Sequence, residues 1–222
     1  IYIYIRRNQI MKKIISGGTG EFTDKKSRFI ANIYHIEDED MAVKIIEQLR
    51  KKYWDARHNC YAYVLGDKSE IQRFSDDGEP SGTAGKPILE VITGNECGNC
   101  LCVVTRYFGG VLLGTGGLIR AYTNAAKEAL AVCRLGELTE GVHAFLDVDY
   151  NYVGKVQYIC AQNDITIVNT EYADGVTFEL MMENAARNVL EKNMTEMSSG
   201  KICLRDTCSM QMYRDDTGKL CR

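Results

Sequence analysis

Proline is nearly missing from this chain: of 222 residues only Pro80 and Pro87 are proline, and both fall inside SDDGEPSGTAGKP, Ser75 to Pro87. So few breakers exclude a proline-rich linker or collagen-like segment, and their confinement marks one stretch of fixed turn geometry. Long apolar runs are absent too; none approaches the roughly 20 residues that span a bilayer, so no membrane partner is expected. Histidine is scarce, with three residues, and no second CxxC or His-x-His group accompanies Cys97–Cys100. Zinc sites draw four ligands from two such clusters, so these thiols read as structural and no metal is expected. The nine cysteines are odd in number and scattered, which suits reduced thiols and a cytoplasmic setting better than a disulfide framework. The stretch IYIYIRRNQ before Met11 has too short an apolar part for a signal core, and its arginines follow rather than precede it. It reads as an upstream extension, with no function attached.

What is present is ordinary globular composition, 45% hydrophobic and 26% charged, with a net charge of −3. The charge is uneven. Lys and Arg outnumber Asp and Glu 19 to 16 through Arg134, and are outnumbered 8 to 14 after it. Neither part is a basic arm, so nucleic-acid contact would be a local patch.

Hydrophobic periodicity divides the chain in two. Strand-like runs flank a polar turn in GTGEFTDKKSRFIANIYHI, and Ala42, Ile45, Ile46, Leu49 and Tyr53 follow at helical spacing, acids before and bases after. NCYAYVLG and IQRFS read as paired strands, ILEVITGN as a short helix and LCVVTRYF as a buried strand. Leu118 through Cys133 form a long amphipathic helix ending near Arg134. From Gly136 the order becomes β-α-β-β-α-β, with a hairpin turning at Ala173 to Gly175: the ferredoxin-like arrangement. The expectation is α+β, with one domain over 12–134 and a ferredoxin-like one over 136–222.

Two segments are dense enough to carry chemistry. RYFGGVLLGTGGLIRAY places Gly109, Gly110, Gly114, Gly116 and Gly117 before a helix. It is neither a Walker A loop nor a full dinucleotide fingerprint, because Ile119 stands where the third glycine belongs; GTAGKP likewise ends in Pro87. What remains is a set of backbone N–H groups at a helix start, with Arg106, Arg120 and Lys86 to add charge, or simply a tight turn. In the other segment Asp76, Asp77 and Glu79 offer either a cation site or a solvated acidic turn. Cys60 beside His58 suggests a nucleophile, but no orienting third group is visible.

At these segments the sequence resembles the YigZ/IMPACT family. KKSRFIA, ARHNCYAY, GEPSGTAGKPIL and VVTRYFGGVLLGTGGLIRAY occur in the family's order, and the βαββαβ unit is similar to the extra domain of bacterial YigZ members. The resemblance implies a first domain like the second domain of ribosomal protein S-five and a second like domain V of elongation factor G. It implies no catalytic set and no cofactor. It points to a non-enzymatic cytoplasmic factor linked to translation, as eukaryotic IMPACT proteins restrain translational shutdown. The expected partners are RNA, the ribosome or a ribosome-associated protein. The expected contact residues are Arg57, His58, Arg73, Asp77, Glu79, Lys86, Arg106, Tyr107, Gly109, Gly110, Gly116, Gly117 and Arg120. The competing expectation is a phosphate- or nucleotide-binding enzyme using GGVLLGTGG, with Mg²⁺ held in the DDGE loop by Asp76, Asp77 or Glu79.

Overall fold

The computed structural model describes residues 12–66, 69–215 and 217–221; the IYIYIRRNQ stretch lies outside them. Two compact units divide between Gly136 and Glu137.

The first unit is built on an antiparallel sheet in the order β2 (Gly18–Asp24), β3 (Ser27–His35), β7 (Cys100–Tyr107), β4 (His58–Leu65), β5 (Ile71–Ser75). Helix α1 (Glu39–Lys52) covers one face, burying Ala42, Ile46 and Leu49 against Tyr63, Leu65, Leu101 and Val103. Its ends follow its sequence: the Asp38 carboxylate accepts the N–H of Met41 at 2.6 Å, acids fill the first turn and Arg50, Lys51 and Lys52 the last. Helices α2 (Gly85–Gly94) and α3 (Thr115–Ala131) cover the other face and bury Ala121, Tyr122, Ala125, Ala126 and Ala129 against Phe29, Ala31, Cys102 and Val104. Covered on both faces, β7 is buried from Cys100 to Arg106, which is why its sequence reads as an unbroken apolar run. The alanine stripe of α3 lies close on β2, where a Cβ on Gly20 would stand 2.2 Å from the nitrogen of Ala129. A short strand β1 (Lys12–Ser16) pairs in parallel with β6 (Cys97–Gly98).

The second unit opens within β8 (Arg134–Val148), a strand that starts seven residues before the alternation in GVHAFLDV becomes regular. Strand β10 (Val176–Met182) pairs antiparallel with β8 and with β9 (Thr166–Tyr172), while β11 (Leu204–Asp215) lies beside β8 and pairs with β12 (Leu220–Cys221). Helices α4 (Val153–Gln162, entered through a 3₁₀ turn at Tyr150–Tyr152) and α5 (Asn184–Ser198) pack on one face over Val142, Ala144, Leu146, Phe178 and Leu180. This is the ferredoxin-like order, so the α+β, two-domain expectation holds. Among the described residues, no helix is long and apolar enough to cross a membrane.

Candidate functional site

The motif residues of the first unit meet where β4, β7 and the α2 and α3 starts converge. Phe29, Arg106 and His58 are register partners on adjacent strands and form a row across the α2/α3 face. Beneath this row runs a chain of hydrogen bonds. Arg106 Nη1 donates to Glu79 Oε1 at 2.6 Å, the Tyr122 hydroxyl donates to the same oxygen at 2.9 Å, and the Cys60 thiol donates to the Tyr122 oxygen at 3.3 Å. Both charged side chains are enclosed, Arg106 7% and Glu79 3% exposed. Burial, and then the neighbouring Cys60 and Glu79, push the Tyr122 hydroxyl far above its ordinary pKa. Burial likewise drives the Cys60 thiol up, with the nearby carboxylates adding to it. A thiol so held is a hydrogen-bond donor, not a nucleophile.

The acidic loop does a different job from the one a cation site demands. Asp76 accepts three backbone N–H groups, from Gly82 at 2.8 Å, Ala84 at 3.0 Å and Gly85 at 2.8 Å, and so caps α2 from eight residues upstream. Asp77 accepts the N–H of Asn59 and the guanidinium of Arg50, each at 2.7 Å, while its backbone oxygen meets His58 Nδ1 at 2.9 Å. Glu79 faces Arg106 and Tyr122. The three carboxylates therefore diverge onto three sets of partners, and the described residues contain no group of three or more His, Cys, Asp or Glu arranged for a metal. The Mg²⁺ arrangement expected of this loop does not assemble, because each acid already satisfies donors that the fold would otherwise leave unpaired.

The glycine segment sits above this lock. Arg106 stacks 5.4 Å from the Phe29 ring and 5.5 Å from the Phe108 ring, which ties the buried pair to a side chain 48% exposed. Gly109 is required by contact: a Cβ there would stand 2.0 Å from the backbone of Lys26, and its N–H donates to the Ser27 hydroxyl at 3.1 Å. Gly110 and Gly114 have φ of +84° and +73°, and Gly114 starts α3 with no side chain capping it. Gly116 is exposed at the first turn of α3, and Gly117 is packed under Leu113. Val111 and Leu112 point outward, Leu112 83% exposed.

The remaining expected contacts divide by face. Arg106 is turned inward, so its charge is not on the surface where a phosphate would meet it. Tyr107 lies on the α1 face and donates its hydroxyl to Asp55 at 2.8 Å. Arg73, also on that face, is 3.8 Å from Glu39. Arg57, Lys86 and Arg120 are exposed.

Two residues escaped the sequence reading. Lys25 and Lys26 form the two-residue turn between β2 and β3, with Asp24 opposite Ser27, and both are exposed in the left-handed region at φ +43° and +65°. A turn of this kind favours Asn-Gly; two lysines there carry a conformational cost of about 1–2 kcal/mol each. Gly109 brings the glycine loop directly against this turn. The signal was available: KK stands at the tip of two alternating runs where a turn residue belongs.

The two units match two known domain families in this order: an Impact N-terminal domain, at residues 25–130, followed by the domain of unknown function DUF1949, at 146–201. The chain belongs to the IMPACT family. It is 38% identical to the IMPACT family member YvyE of Bacillus subtilis (strain 168), over 85% of this chain and 87% of that one. Against the IMPACT family member YigZ of Escherichia coli (strain K12) the identity is 36%, over 81% and 89%. A crystal structure described as that of a hypothetical protein superposes with a TM-score of 0.56 at 34% identity, covering 87% of this chain and 95% of the other.

Proposed function

We propose that this protein is a non-enzymatic factor linked to translation that binds RNA of the ribosome through one surface of its first unit. The surface is the Lys25–Lys26 turn, the loop from Phe108 to Gly114 and the start of α3 with Arg120. One observation carries the reading: two lysines are held in an unfavourable backbone conformation, at a turn fixed against the glycine loop, where Asn-Gly fits better. Strain of that kind persists where the side chains are wanted for something other than stability. Lysine and arginine at such a site meet phosphate, and the uncapped N–H groups of α3 add to the attraction. The exposed Phe108 ring supplies a face for base stacking. The buried lock holds the loops in place, which lowers the ordering cost of binding.

Co-sedimentation with ribosomes over a salt series tests this. The expected result is retention at low salt, a steep loss as salt rises, and release by nuclease. Retention independent of salt, or surviving nuclease, would replace RNA with a protein partner.

A further inference from the structure

The sheet face of the second unit turned away from α4 and α5 carries a thiol, an imidazole and a carboxylate in one line. On β8 the residues alternating with the core set are His143, Phe145 and Asp147; on β10 they are Thr177, Glu179 and Met181. His143 Nε2 lies 2.8 Å from Glu179 Oε1, and His143 Nδ1 lies 4.0 Å from the Sγ of Cys208 on β11. The imidazole is largely buried, its side chain 11% exposed, and stands edge-on to Phe145 with ring centroids 5.1 Å apart, so its orientation is fixed from two sides. Arg205 lies over the same Phe145 ring and pairs with Asp147 and Asp206. With Nε2–H donated to the carboxylate, Nδ1 presents its lone pair to the thiol. Cys60 differs: its thiol bonds to the backbone oxygen of Asp76 and to Tyr122 rather than to the His58 ring, whereas Cys208 has an oriented base beside it.

The other cysteines differ. Five are buried, and burial holds Cys97 and Cys160 up at about 11. Cys133 and Cys221 are half-buried and donate to backbone oxygens of Ala129 and Tyr213. Cys203 is exposed, but its sulfur has Gly200 O at 3.8 Å rather than a base. Cys208 alone among the described cysteines combines exposure with an oriented imidazole.

We propose that Cys208 is a site of oxidation by hydroperoxides, with His143 as its base and Glu179 as the residue positioning that base. The thiol proton passes to His143 Nδ1 and the sulfur attacks one peroxide oxygen. An S–O bond forms, the O–O bond breaks, and the departing hydroxide or alkoxide takes the proton back from the imidazolium. Sulfur is oxidised by two electrons to the sulfenic acid, and the peroxide is reduced to water or alcohol. The 4.0 Å contact shortens as the proton moves, as resting hydrogen bonds of this kind commonly do.

The test uses the full chain, hydrogen peroxide and a dimedone trap for sulfenic acid, with Cys208 and Cys203 read separately by peptide mass spectrometry. Cys203 is the internal reference, since general loosening of the unit raises both. Cys208 is expected to label about tenfold faster than Cys203, a modest factor beside what a positioned general base supplies. His143→Gln keeps a hydrogen bond to Glu179 but removes the base, and is expected to bring the ratio near one; Glu179→Gln is expected to lower it in part. Equal labelling in the native protein, or an unchanged ratio in His143→Gln, overturns the proposal. Should that variant fail to fold, the wild-type ratio decides: it must collapse to near one in urea, and a ratio that survives unfolding overturns the proposal as well.

Discussion

Replacing Lys25 with Asn and Lys26 with Gly separates stability from recognition at a single turn. Both lysines sit in the left-handed region, φ +43° and +65°, in a two-residue hairpin connection. Asn-Gly is the preferred pair for that geometry, and relieving two strained residues returns about 1–2 kcal/mol each. The larger unfolded-state entropy of glycine offsets about 0.5–1 kcal/mol of this. The net gain is about 1–3.5 kcal/mol, which for a unit of this size is a rise of about 3–15 °C in melting temperature. On the proposed surface the same variant loses two phosphate contacts, so the slope of log affinity against log salt shallows by about 2. The two assays are a calorimetric melt and ribosome co-sedimentation across salt. A more stable protein that binds less well is expected. A variant that melts lower would refute the account of turn strain, and one that keeps both affinity and salt slope would remove these lysines from the contact surface.

Glu79→Ala leaves the Arg106 guanidinium buried without its carboxylate and is expected to cost about 3–5 kcal/mol by denaturant unfolding, with Glu79→Gln milder because it still accepts a hydrogen bond. Gly109→Ala places a methyl group against the Lys26 backbone, so a loss of at least about 2 kcal/mol is expected in the same assay. Leu112→Asp changes a side chain 83% exposed; stability within about 0.5 kcal/mol of the parent is expected, with ribosome binding weakened by the added negative charge. Hydrogen bonds from Arg205 hold the Asp147 carboxyl below its usual pKa, and those from Arg214 do the same for Glu183. A depressed carboxyl stabilises the fold fully above its unfolded value and loses that contribution as pH falls through the folded one. Melts of the second unit are therefore expected to be flat from pH 7 to about 5 and to decline below about 4.

Much of this architecture was legible because its elements follow local periodicity. The α1 boundaries are written in Asp38 and in Arg50 to Lys52, and the β9–β10 hairpin in the polar turn at Ala173 to Gly175. The site was less legible, because its polarity is set by tertiary contact. Nothing local distinguishes an arginine that reaches solvent from one that meets Glu79 from 27 residues away. Asp76 has the same sequence context whether it binds a cation or caps a helix; only the folded position of Gly82, Ala84 and Gly85 decides. Strands β6 and β12 have two residues each, too few for alternation to show, and β1, KKIIS, does not alternate. His143, Glu179 and Cys208 are separated by tens of residues on three strands, so only sheet register brings them together.

Strand β7 occupies the gap between β3 and β4, pairing with both through ladders that reach from Ser27–His35 and from His58–Leu65 to Cys100–Tyr107. During synthesis the β2–β3 and β4–β5 hairpins can close early, but the β3 edge then stays open until residues about seventy positions later arrive, and the β4 edge until residues about forty positions later do. This topology predicts that the first unit is completed by insertion of its central strand, a late and non-local event that would slow folding and leave two open edges exposed before it. Pulsed hydrogen exchange during refolding should show the β3 and β4 amides that face β7 gaining protection together with β7. Earlier protection of either ladder would mean that the sheet closes by another route.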